Sequence, residues 1–182
     1  MPNAKGTVVV EAVKILRAQR ERAHDALPQR LRHYLDDKIV LASWYPLEDY
    51  IDLLRVMARI GGAGRTNPCE QMGRDAARSH MEGTYSRLNK SADRKAAMTL
   101  ASSMYDSGEL RVVERAPGRA VMEMVGFALP AREVGETFTG YQSERMILLG
   151  FEDVAVKHTR CRALGAPNCF WELTWKGKEK GE

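Results

Sequence analysis

The sequence predicts an α+β fold: a helical N-terminal half, then a hairpin, a helix and a second hairpin whose strands form an antiparallel sheet packed on helices. Three observations predict it. Apolar residues recur at helical spacing through the first two-thirds of the chain, the pattern changes to strands after Gly108, and turn residues at Ala116-Pro117-Gly118 and Gly165/Pro167 mark two hairpins. A chain of 182 residues fits one domain. That domain is expected over 1–175, with a helical part at about 8–105, the hairpin-helix-hairpin at about 109–175 and a disordered charged tail over 176–182.

Taken in order, Val9, Ala12, Val13 and Leu16 form a helical stripe that breaks at Gln19 and Arg20 and resumes at Ala23. A short helix is expected around Pro28 to Leu35. At Trp44-Tyr-Pro-Leu-Glu-Asp49, Pro46 suits the first helical position and Glu48 and Asp49 suit the positive end of the dipole. Leu47, Tyr50, Ile51, Leu54, Met57 and Ala58 then share one face as far as Gly61-Gly62. Asn67 as cap, Pro68 in the first turn and Glu70 three residues after the cap open a further helix, expected to reach about Leu88. Another helix is expected from Ala92 to Tyr105. Leu110–Arg115 and Ala120–Phe127 form the first hairpin, Ala131–Leu149 a helix, and Val154–Cys161 with Cys169–Trp175 the second hairpin.

Composition excludes several function classes. The 44% hydrophobic and 29% charged content is that of an ordinary globular protein, and no apolar run or leader-like N-terminus predicts a membrane span or export, so the cytosol is expected. The net charge of +4 is densest at Arg17, Arg20, Arg22, Arg30 and Arg32, which read as solvated helix surface; no interleaved aromatics or reader motif points to nucleic acid. Three cysteines without a leader disfavour a disulfide framework.

No phosphate loop, dinucleotide turn, nucleophile elbow or His-Glu-x-x-His occurs. Cys69, after a proline at a helix start, is the lone nucleophile candidate, since the dipole there lowers a thiol pKa, but no base accompanies it. His24, His33 and His80 read as surface residues. The nine methionines read as ordinary core or, alternatively, as an adaptable pocket lining. His158, Cys161 and Cys169 supply three residues that suit zinc, against the four that a structural site wants. The plain alternative is two small buried thiols closing a hairpin shaped by Gly165 and Pro167.

Thr137-Phe-Thr-Gly-Tyr141, its distance to Cys161, and the Cys161-x7-Cys169 hairpin resemble the 4-vinyl-reductase-like domain, a small-molecule-sensing module whose fold is related to haem-nitric-oxide-binding and TRAPP-type proteins. The likeness covers roughly Val112 to Trp175 by motif and the rest by element order. The Trp44–Asp49 and Gly73-Arg-Asp75 segments also look like uncharacterised bacterial proteins of similar length. In phenol-sensing relatives zinc is held by a cysteine before the Thr-x-Thr-Gly-Tyr segment, a glutamate before the hairpin, and the two hairpin cysteines. Here Gly135 and His158 replace the first two, and neither Glu136 nor Cys69 is placed by a motif to restore the fourth ligand.

Tyr141-Gln-Ser143-Glu-Arg145 matches the pattern by which haem-nitric-oxide domains hold haem propionates. Their axial histidine has no counterpart, because no histidine occurs between His80 and His158, so the plain reading is a solvated Glu144/Arg145 surface with Tyr141 packed inward. The expected cofactor is therefore none, with zinc the alternative and haem not expected.

The resemblance implies a pocket between the last helix and the first hairpin, lined by Met124, Phe127, Phe138 and Tyr141. The resulting expectation is a non-enzymatic bacterial sensory module for an apolar or aromatic small molecule. Its output would pass through a homodimer or a separate protein, with neither nucleic acid nor membrane as partner. A protein-interaction scaffold of the same fold is the alternative, and a tetrapyrrole-related enzyme or accessory factor the third reading.

Overall fold

The computed structural model of the protein describes residues 1–61, 67–83 and 103–177. The expected continuation of the Asn67 helix to Leu88, the start of the helix at Ala92 and residues 178–182 of the expected tail lie outside the described residues; the expected helix end at Tyr105 is instead turn and a β-bridge to Ala4, and Lys176, expected in the tail, closes the last strand. The fold class is as the sequence predicts, α+β with an antiparallel sheet.

A short strand β1 (Asn3–Lys5) pairs antiparallel with β2 (Trp44–Pro46), a pairing that periodicity does not reveal because each strand has only three residues. Helix α1 (Gly6–Ala18) and helix α2 (Arg20–Ala26) are separated at Gln19, where the backbone leaves helical geometry at the polar break in the stripe. A 3-10 helix follows at Gln29–Leu35. Helix α3 (Leu47–Ile60) starts one residue after Pro46, which closes β2 and caps the helix, and it ends at Gly61. The Asn67 side chain caps α4 (Pro68–Glu82) by accepting from the Cys69 and Glu70 backbone N–H groups at 2.9 and 3.4 Å. Three of the basic residues read as free surface instead tie this half together. Arg17 and Arg20 donate to the carbonyls of Tyr34 and Leu35, and Arg30 bridges Asp49 and Asp52 of α3.

Strands β3 (Glu109–Ala116), β4 (Arg119–Val125), β5 (Glu152–Arg160) and β6 (Cys169–Lys176) form a four-stranded antiparallel sheet in the order β3-β4-β6-β5. Helix α5 (Arg132–Leu148) joins the hairpins and packs chiefly on α4, with β5 on another side. Leu110, Met122, Met146, Trp171 and Leu173 form the core of this half, while a larger core sits among α1, α3, α4 and the 3-10 helix.

Helix α5 has no apolar stripe, yet Thr137, Thr139, Gln142, Ser143 and Glu144 are all buried. Several of its polar atoms find partners inside the fold, while the Thr137 hydroxyl has none among the described residues. The Thr139 hydroxyl donates to the Gly135 carbonyl at 2.9 Å, and the Trp171 indole N–H donates to Thr139 Oγ1 at 3.1 Å and to the Gly135 carbonyl at 3.3 Å. Glu144, only 7% exposed, accepts from Arg78 of α4 at 2.8 Å and lies 3.6 Å from Arg74. The expected solvated Glu144 surface is therefore corrected: two cations of α4 make its burial tolerable.

Candidate functional site

A cavity of about 60 Å³ lies where α1, α4 and α5 meet the sheet. Met124, Phe127, Phe138 and Tyr141 all stand in its wall, joined by Met72 and Met104. The site therefore draws on the N-terminal helices as well as on the last helix and the first hairpin. Residues such as Tyr50 and His80 could not be picked from spacing alone, since they come from elements far apart in the chain. The volume is several times what one water needs. Thioether side chains are unbranched and repack around differently shaped guests, so the methionine-rich wall can enlarge.

In this wall the Thr137 hydroxyl, on a residue 9% exposed, has no hydrogen-bond partner among the described residues, while the Tyr50 hydroxyl, on a residue 1% exposed, has the Tyr105 hydroxyl as its neighbour. The Tyr50 phenol is pushed well above its ordinary range by burial and then by the neighbouring Tyr105 hydroxyl, so it is a neutral donor at physiological pH. Native proteins satisfy most buried hydroxyls, so the Thr137 hydroxyl on a wall residue favours a guest that carries a hydrogen-bonding group.

His80, read from the sequence as a surface residue, is buried at 6% exposure because α4 turns it toward α1 and α5; His24 and His33 are exposed. Its Nδ1 lies 3.4 Å from the Tyr141 hydroxyl. Burial lowers its pKa, an effect the Glu11 carboxylate opposes and Lys14 reinforces. A histidine with a depressed folded-state pKa binds its proton more tightly in the unfolded chain. Its contribution to stability is whole above about pH 6.5 and is lost as the pH falls from there through the folded pKa. The urea midpoint of the wild type should fall on acidification from about pH 7.5 to about pH 5.5 by more than that of His80→Gln. Equal falls would assign the acid sensitivity to other groups.

At the outer end of α5, burial pulls the Arg145 pKa below its ordinary value, and its guanidinium donates to the Gln142 side chain at 3.5 Å. Among the described residues no carboxylate lies within ion-pair distance of Arg145. A partly buried guanidinium without a carboxylate is a strong donor to an anionic group of a guest.

His158, Cys161 and Cys169 converge, their ligand atoms all within 4.8 Å of one another. The His158 ring stacks on Trp171 with centroids 4.6 Å apart and planes 8° from parallel, and its Nε2 is buried without a partner. Neither Glu136 nor Cys69 joins the group, so the described residues supply three soft ligands and no fourth. Cys161 and Cys169 are free thiols, and burial raises the Cys169 pKa. Cys169 and Trp171 also line the cavity, so the cluster and the cavity share a wall. Cys69, the nucleophile candidate, is fully buried and its thiol is pushed up to about 12 by that burial, which outweighs the helix terminus beneath it.

No protein-family profile and no curated relative matches the chain. Solved structures do. An H-NOX protein from S. oneidensis in the Fe(II) ligation state shares 12% identity at a TM-score of 0.69, over 97% of this chain and 98% of that one. An oxygen-binding H-NOX domain related to soluble guanylate cyclases, in its oxygen complex, shares 15% identity at a TM-score of 0.65, over 98% of each chain. A structure that probes the function of haem distortion in the H-NOX family shares 15% at 0.67, over 95% of each chain.

These neighbours overturn the expectation that no cofactor is needed and that haem is out of place, because the proteins sharing this fold are described by their iron and haem. Of the three residues that match the haem-carboxylate pattern, Tyr141 stands in the cavity wall, whereas Ser143 and Arg145 are not among its wall residues. Tyr141, Ser143 and Arg145 stand on one helix, and the Arg145 guanidinium has no carboxylate of its own among the described residues. His80 adds a buried imidazole to the cavity wall, kept neutral by burial. A cavity of about 60 Å³ is below the roughly 300 Å³ of a typical ligand pocket, so a porphyrin requires the wall to part. Across nearly its whole length, the chain has the fold of the H-NOX domains.

Proposed function

We propose that the protein is a non-enzymatic sensory module, similar to the 4-vinyl-reductase-like domain, that takes an apolar or aromatic small molecule with one hydrogen-bonding group into the cavity. Its output passes to a partner or a second copy. The observation that carries this reading is the cavity itself, a mostly apolar wall that also holds the Tyr50 and Thr137 hydroxyl-bearing residues, Glu11, His80 and Arg162. Occupation shifts α4 and α5 against the sheet, since both helices contribute wall. Native mass spectrometry of the full chain should show a co-purified small molecule or uptake of a neutral fluorinated aromatic alcohol. Val134→Phe, which fills the cavity from α5, should weaken that uptake about tenfold or more with the far-ultraviolet CD unchanged. An empty wild type that also takes up no aromatic guest would overturn the reading.

A second reading rests on Arg145. Its guanidinium, with the Tyr141 and Ser143 hydroxyls, would hold the carboxylates of a haem, which supplies an iron that binds a diatomic gas. Titration of the full chain with haemin should then give a Soret band saturating at one haem per chain, and Arg145→Ala should weaken the affinity about tenfold. A titration with no saturable band removes this reading and leaves the first intact.

A further inference from the structure

The polar groups in the cavity wall differ in what they already hold. Glu11 is paired with Lys14 at 2.9 Å, the Arg162 guanidinium donates to the Phe127 carbonyl, and the Trp171 indole N–H donates to Thr139 Oγ1 and the Gly135 carbonyl. His80 meets the Tyr141 hydroxyl at 3.4 Å and the Thr7 backbone, and the Cys169 sulfur accepts from the Arg162 backbone N–H at 3.3 Å. What remains is a set of hydroxyls.

Thr137 Oγ1 has no hydrogen-bond partner among the described residues, and the Tyr50 hydroxyl has that of Tyr105 as its neighbour and no other. Tyr105 also stands in the wall, its ring centroid 6.2 Å from that of Tyr50, with Phe127 edge-on against it at 5.2 Å. A hydroxyl carries one hydrogen, so two phenols that bond each other use one O–H and leave the second over. Burial pushes both phenols above their ordinary range, Tyr105 to about 12, so both keep their hydrogens. The wall is thus short of acceptors rather than donors.

We infer that the cavity selects neutral aryl carbonyl compounds, whose oxygen accepts from the hydroxyls of Thr137 and of the Tyr50–Tyr105 pair. The inference rests on the cavity reading above and names the guest's polar group. A carbonyl brings an acceptor and no hydrogen of its own, whereas an alcohol adds a further donor to a wall that lacks acceptors. The rings of Tyr50, Tyr105 and Phe127 suit an aromatic guest, and Met72 and Met104 beside them repack around its outline.

The test compares three guests of nearly one shape by fluorine NMR titration of the full chain. They are 4-fluoroacetophenone, its isostere with C=CH₂ in place of C=O, and the alcohol made by reducing the carbonyl. Burial strips a carbonyl of its hydration, so a wall without free donors would favour the hydrocarbon. The wild type should instead bind the ketone at least about threefold more tightly than either other guest. Thr137→Val and Tyr105→Phe should each weaken the ketone about threefold to tenfold and leave the hydrocarbon within about twofold. If the wild type binds the hydrocarbon as tightly as the ketone, or both variants keep the preference, the inference falls and the cavity reading stands. If it binds none of the three, both fall.

Discussion

Gly140→Ala is expected to lower stability by about 3 kcal/mol or more, seen as a melting temperature roughly 6 to 12 °C lower by CD. A Cβ built on Gly140 falls 1.9 Å from the Glu70 carbonyl oxygen, and one built on Gly73 falls 2.0 Å from the Thr137 carbonyl oxygen. Each glycine of one helix thus meets backbone of the other, and α4 and α5 approach as closely as they do only because two side chains are missing. In a helix interior alanine is favoured over glycine by about 1 kcal/mol, so a surface glycine replaced this way would stabilise the chain. Here the obstacle is peptide backbone, which no rotamer change removes. The helices must separate, and the seam lined by Ala76, Ala77 and Tyr141 and closed by the Glu144–Arg78 ion pair must open with them. Gly73→Ala should have a comparable effect. A variant at either position that melts with the wild type would show that the seam is looser than its geometry.

The legible parts of this fold are those in which local chemistry and burial agree. The α3 stripe, the Asn67 cap, the break at Gln19 and both hairpins announce themselves because an apolar face, a capping side chain or a turn residue marks each. The α5 helix is legible as a helix but not in what it buries, since its buried face is made of threonine, glutamine, serine, glutamate and glycine. The facing Arg74, Arg78, Gly73 and Trp171 make that face tolerable, and none of them is close in sequence. The character of His80 and Cys69 is illegible for the same reason: a residue on a helix tells nothing of which neighbour covers it, and burial reverses the expectation for both. Of the cavity, four wall residues can be placed from the sequence through a family likeness; the share from α1, α3 and α4 depends on tertiary packing. The bond partners of Arg145, on which the haem reading turns, are likewise a tertiary fact.

Gly135→Ala should change sign with its background, destabilising the wild type and stabilising a His158→Ala chain. A Cβ on Gly135 would lie 2.3 Å from Cε1 and 2.7 Å from Nδ1 of His158, so the imidazole occupies the space that a side chain at 135 would need. The ring is not free to retreat, being stacked against Trp171 from the sheet side. In the wild type the gain in helix propensity, about 1 kcal/mol, is therefore outweighed by an overpacking cost of about 1 to 3 kcal/mol. With the imidazole removed, the clash disappears and the propensity gain remains. The coupling between the two positions in a double-mutant cycle, measured by urea denaturation, should fall in the range of about 1 to 3 kcal/mol for residues in direct contact. A coupling near zero would mean that His158 leaves its stack at little cost. A large one makes Gly135 and His158 a single structural exchange, in which a ring takes the volume that the small residue vacates. That packing leaves His158 Nε2 buried and without a partner among the described residues, beside the Cys161 and Cys169 thiols, of which Cys169 also stands in the cavity wall.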